Sequence, residues 1–295
     1  IGRYIHYQQV SRCWTELSSE RYDELRKRLL ELLTSYQVIV AFFACSPATF
    51  FSAQGPKIVL TRICVAVSGL VIHSVPEHWP QPINDLISMF QPQLASGQIR
   101  PLTLLLELLT VIPEEFSTLL LSSQRRAVVR NSFCGSLGSV MPFLLGVMER
   151  HSSSSGEATL QACKCVQAWV QFGLPLDSCT PIVDRLLACV GDEELQETVM
   201  EALSSLISHP DTHKYPANLM EVLKKILPLD SLMHQYMSEG SYEMCLPVLS
   251  LFITFGESHS RLLIDWATSS SEGRDVVLRL VTTILAASSC HAQFP

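Results

Sequence analysis

Apolar residues recur at helical spacing from one end of this chain to the other, and no stretch shows the alternation of a half-buried strand. That period constrains the fold more than any single motif. Residues 18–37 show it cleanly: Ser18 or Ser19 is placed to cap, Glu20 sits near the positive helix start, and Tyr22, Leu25, Leu29, Leu32, Leu33 and Tyr36 form one stripe. Residues 192–208 repeat the design, with Asp192 as cap, Glu193 and Glu194 in the first turn, then Leu195, Val199, Leu203 and Leu206. Pro210 stops that helix, because proline disfavours a helical residue before it.

Other segments are apolar almost all round. Residues 57–75, 102–112 and 244–255 carry too many large hydrophobes for one face, so each is expected to pack on several sides. Pro247 is expected to kink or delay the last of them. Breaks fall near Trp14–Ser18, Pro76–Pro82, Gln91–Arg100, Pro113, Ser152–Gly156, Gly173–Asp177, Gly191, His209–Asp211, Glu239–Ser241, Ser258 and Ser269–Gly273. This leaves roughly a dozen helices, which pair into units of about 40 residues, the period of HEAT and armadillo arrays. The expected fold is all-α, an α-solenoid of HEAT-type antiparallel helix pairs with about six repeats. A compact helical bundle is the alternative.

One stretch does not fit this rhythm. From Val38 to Gln54 the chain is uncharged, and it separates two helices that a short turn would otherwise join. A membrane span needs about 20 apolar residues. Here Val38–Cys45 is short and Ser46-Pro47-Ala48-Thr49 interrupts it, so no membrane insertion is expected. Phe50-Phe51-Ser52-Ala53-Gln54 can be encoded by a pyrimidine tract ending in CAG, and Gln37-Val38 by CAG-GT. Those are intron ends, and 17 residues correspond to 51 nucleotides, divisible by three. Residues 38–54 therefore read as a non-native insertion, a translated intron; detection of the peptide AFFACSPATFF in the native protein would refute that.

Hydrophobic residues make up 47% of the 295 and charged ones 17%, with a net charge of −7. The chain is long enough for a sizeable core, and its acidity argues against direct binding of nucleic acid, whose phosphates call for Lys and Arg. The ten cysteines form no C-x-x-C pair. Cys13, Cys64, Cys134, Cys189 and Cys245 sit among apolar residues as small buried hydrophobes do, and Cys163 and Cys165 point to different helix faces. No cofactor or metal is expected. His209 and His213 have ligand-like spacing, but Pro210 lies between them and no third ligand stands near. Gly135-Ser136-Leu137-Gly138 lacks the order and the strand of a nucleophile elbow, and no phosphate-binding glycine loop occurs. Trp14, Trp79, Trp169 and Trp266 lie at helix ends or on apolar faces, where core packing is usual. The chain reads as a binding protein and not an enzyme.

The segments PKIVLTRICVAVSGL (56–70), PLTLLLELLTVIPEEF (101–116), WVQFGLPLDSC (169–179), GESHSRLLID (256–265) and SSCHAQFP (288–295) resemble the karyopherin-β (importin-β) superfamily, in order and across nearly the whole chain. Against that pattern the chain reads as the N-terminal part of a longer karyopherin without its first repeat, starting in mid-pattern at Ile1. The resemblance implies a nuclear transport receptor shuttling between cytoplasm and nucleus. Its partners would be the GTP form of Ran, cargo proteins and nucleoporins. The second helix of each repeat would line a concave face, here about 18–37, 82–90, 122–150, 178–190, 214–238 and 273–288. Asp23, Glu24, Arg26 and Lys27 crown a helix expected near the Ran site, with Asp85 on the next inner helix. Arg125, Arg126 and Arg130 form the densest basic cluster and are candidates to face an acidic partner. An ordinary solvated helix face is the plainer account of all eight. A HEAT-repeat scaffold or regulatory subunit is the rival function.

Overall fold

The computed structural model describes residues 18–44, 54–95, 99–151 and 156–291, and among these there is no strand. Among the described residues thirteen α-helices follow one another: α1 Ser19–Ala44, α2 Gln54–Ser74, α3 Pro82–Ala95, α4 Ile99–Thr118, α5 Ser123–His151, α6 Gly156–Gly173, α7 Thr180–Ala188, α8 Glu193–Ser208, α9 Pro216–Ile226, α10 Leu229–Glu239, α11 Tyr242–Ser258, α12 Ser260–Ser269 and α13 Ser271–His291. Two 3₁₀ turns, Leu176–Ser178 and Pro210–Lys214, sit before α7 and α9. The architecture is all-α, built from HEAT-type helix pairs. It divides into two compact units, Ile1–Gly146 and Val147–Pro295.

In the first unit α1 packs on α2, α2 on α4, and α3 on α4. Helix α4 is buried nearly all round, through Leu102, Leu104, Leu105, Leu106, Leu108, Leu109 and Ile112 among others. In the second unit α6, α8 and α11 form a continuous row, α6 on α8 and α8 on α11. The second helices lie against this row and against one another: α7 on α8 and α9, α10 on α11, and α13 on α11 and α12.

Local chemistry sets the boundaries. Asp192 Oδ1 accepts the backbone N–H of Glu194 at 3.0 Å and starts α8, and His209 leaves the helical region at its end. The α10 terminus is a left-handed Gly240 (φ 73°): its N–H reaches Met237 O and the N–H of Ser241 reaches Tyr236 O at 2.9 Å. At Gly273 a Cβ would lie 2.3 Å from the carbonyl oxygen of Trp266, so only glycine lets α12 and α13 approach this closely.

Several expectations need correction. Helix α1 does not stop at residue 37 but continues to Ala44; residues 45–53 of the uncharged stretch lie outside the described residues. Pro113 does not break α4, and Pro247 neither ends nor delays α11, which starts at Tyr242. The missing N–H and ring clash of an interior proline cost about 3 kcal/mol. The burial of Leu108, Leu109, Ile112 and Phe116, and of Val248, Leu251, Phe252 and Phe255, offsets that cost. The expected inner helix 214–238 is two helices, α9 and α10, parted at Leu227–Pro228. Leu32 leaves the predicted stripe and is 53% exposed, as is Ile58 (59%) at the start of α2. Cys134 is exposed and not a core residue, whereas Cys163 and Cys165 are both buried because α6 is covered on several sides. Between Ser123 and Arg150, α5 is, among the described residues, the one helix long and apolar enough to cross a membrane by length and composition. Its Val129, Phe133, Val140, Leu144, Val147 and Met148 are buried within the protein.

Candidate protein-binding surface

Three of the residues picked out in the first unit, Arg26, Asp85 and Arg125, meet at the turn between α2 and α3. Trp79 is 3% exposed, and its Nε1–H donates to Asp85 Oδ2 at 2.7 Å in the first turn of α3. The Arg26 guanidinium lies 5.3 Å from the Trp79 ring centre and pairs with Asp23 at 2.9 Å. Tyr22, one turn before, stacks on His78 with ring centres 4.4 Å apart. Glu77 pairs with Arg125 at 3.1 Å from the first turn of α5. One turn of chain, Glu77–Trp79, thus ties α1, α3 and α5 together.

Arg125 does more than pair with Glu77. Its Nη2 donates to Ile72 O and His73 O, both at 2.9 Å, so it caps the C-terminus of α2, where carbonyls lack helical partners. Arg126 does the same for α4, donating from Nη2 to Leu119 O at 2.8 Å while its guanidinium covers the Phe116 ring at 5.1 Å. The basic cluster is therefore divided. Arg125 and Arg126 are committed to helix ends, and Arg130 is exposed one turn further on. On α1, Glu24 pairs with Arg28 at 2.6 Å, and Asp23, Glu24 and Lys27 are exposed. A partner that engages Arg125 or Arg126 competes with their caps, and one that engages Asp85 or Arg26 competes with their contacts to Trp79.

The titrating groups reflect this packing. Burial raises the Tyr22 phenol, against the pull of Arg125 and with the push of Glu77. Burial also pushes the Glu77 carboxyl up, but its own backbone N–H and the Arg125 guanidinium outweigh that and hold it low. Burial, aided by Arg125, lowers His73 to about 4. Sequence reasoning missed Tyr22, Glu77 and His78 as partners; the only signal was Trp79 beside Pro80, an aromatic where a turn is normally polar.

The groups weighed for chemistry have structural roles. His209 Nδ1 accepts the N–H of Asp211 at 3.2 Å and caps the 3₁₀ turn, and His213 Nδ1 meets Pro210 O at 2.5 Å. Ser136 donates back to Ser132 O within α5. Burial pushes the Cys163 and Cys179 thiols up to about 12, away from the thiolate a nucleophile needs. No group of three or more His, Cys, Asp or Glu placed to hold a metal occurs among the described residues.

Comparison with known proteins agrees with this architecture. Residues 56–203 match the family model described as Exportin 1-like protein. The chain is 32% identical to Importin-13 of Homo sapiens over 289 residues, covering 97% of this chain and 28% of that protein. It is 32% identical to Importin-13 of Gallus gallus, over 94% of this chain and 27% of that one. The solved structure "Importin13 cytosolic state" superposes with a TM-score of 0.66 at 26% identity, over 85% of this chain and 31% of its own. The chain thus spans under a third of the length of these relatives. On the family match across half its residues and the helix pairs that superpose on importin-13, the chain belongs to the exportin 1-like family of the karyopherin-β superfamily.

Proposed function

We propose that this chain serves nuclear transport: it binds cargo proteins on the face formed by the second helices of its HEAT pairs and exchanges them under control of GTP-bound Ran, mainly in import. The observation that carries this reading is 32% identity to human Importin-13 along 97% of the chain. Nucleoporins are its further partners, and it shuttles between cytoplasm and nucleus. It performs no chemistry, needs no cofactor, contacts no nucleic acid directly and does not insert into a membrane. Any GTP hydrolysis belongs to Ran. Arrays of stacked helix pairs suit this task, because each pair touches only its neighbours and a partner can be exchanged through small adjustments at many junctions.

On this reading Asp23, Glu24, Lys27 and Arg130 meet partners, while Arg26, Asp85, Arg125 and Arg126 hold the surface in shape. The test is a pull-down with Ran locked to GTP against Ran bound to GDP. Nucleotide-dependent capture, weakened when Glu24 and Lys27 are both replaced by Ala, supports transport. Equal or absent capture points instead to a HEAT scaffold that assembles another complex.

A further inference from the structure

In the second unit apolar burial and charge pairing are divided between the two rows of helices. Helices α6, α8 and α11 hold the apolar core, with Trp169, Val199, Leu203, Leu251 and Phe252 fully or almost fully buried. The helices beside this row bury less: α7 buries Ile182, Val183 and Leu186, α9 buries Leu219, Val222, Leu223 and Ile226, α10 buries Met233 and α12 buries Leu263.

Charge joins the second helices in order. Arg185 of α7 reaches back to Glu149 of α5 at 2.5 Å, and its neighbour Asp184 pairs forward with Lys225 of α9. Lys224, beside Lys225, pairs forward with Glu272 at the start of α13 at 2.7 Å. Asp230 of α10 holds Arg279 of α13 through two bonds of 2.7 and 2.8 Å. Each of α7 and α9 thus carries two adjacent charges, one reaching back and one forward. These four cross-helix ion pairs, among the described residues, all join second helices.

We propose that this run of ion pairs is an electrostatic stitch that sets the spacing of the second helices, while the apolar row acts as the hinge about which they open. The pairs are exposed enough for ions to reach them, with side-chain exposure from 13% to 71%. Such pairs weaken as salt shortens the range of charge, whereas apolar contacts do not. Ionic strength therefore loosens one side of the unit and leaves the other closed. A charged partner lying on this face competes for the same side chains. The stitch is a property of the helix pairs and does not depend on the transport reading.

Hydrogen exchange of the full-length chain tests this, compared between about 0.05 M and about 0.5 M NaCl. The amides of α7, α9 and the first turns of α13 are expected to exchange roughly two- to five-fold faster at high salt, the range that breaking exposed pairs allows. Those of α6, α8 and α11 are expected to stay unchanged. Lys225→Asp should produce the same loosening at low salt, and adding Asp184→Lys should reverse it. A chain with Asp184→Asn, Arg185→Gln, Lys224→Gln and Lys225→Gln should lose the salt response. Uniform acceleration of both rows, no salt response, failure of the swap to reverse the single change, or a salt response that survives neutralisation would each overturn the proposal.

Discussion

Arg125 and Arg126 are neighbours in the chain, yet they cap two different helices. Their guanidinium groups answer to the spare carbonyls of α2 and α4, an assignment that depends on where those ends meet in space. His73, whose carbonyl Arg125 holds, supplies a test at this scale. Burial first, then the nearby Arg125 charge, lowers its imidazole to about 4, below the ordinary 6.5. As pH falls, the unfolded chain takes up the proton before the folded one does. The contribution of His73 is therefore complete above pH 6.5 and is lost between pH 6.5 and about 4, by up to roughly 3 kcal/mol. Urea midpoints measured across that window should fall steeply for the parent chain and less steeply for His73→Gln.

At the scale of the helix, capping and packing explain what the sequence revealed and what it hid. The limits of α8 were legible because both signals are local: Asp192 before the first turn and His209-Pro210 after the last. Pro113 and Pro247 misled because a proline's cost is local while its compensation, burial against neighbouring helices, is not. The basic cluster misled for the same reason. Its charge was visible, but the helix ends that use it lie some 50 residues earlier for Arg125. Arg125→Met should cost about 1–3 kcal/mol by urea unfolding, since it strands two carbonyls and Glu77. Lys27→Met, on the exposed face of α1, should change stability by no more than about 0.5 kcal/mol. If the two cost the same, the capping role assigned to Arg125 is wrong.

At the scale of the molecule, the succession of helix pairs was read correctly because period and punctuation repeat along the chain, while the partners of individual side chains required coordinates. Helix α13 presents Leu278 (53% exposed), Val281 (44%) and Leu285 (63%) at helical spacing, an apolar stripe facing solvent. The chain is therefore expected to self-associate, eluting early in gel filtration, and Leu278→Glu with Leu285→Lys should shift it toward the monomer. The back-and-forth charges of α7 and α9 have one more consequence. Losing a single residue ahead of Asp184 would rotate Asp184 and Arg185 by about 100° and unhook both adjoining helices together. Descendants of this protein should accumulate insertions and deletions in the turns and keep the length of these two short helices fixed.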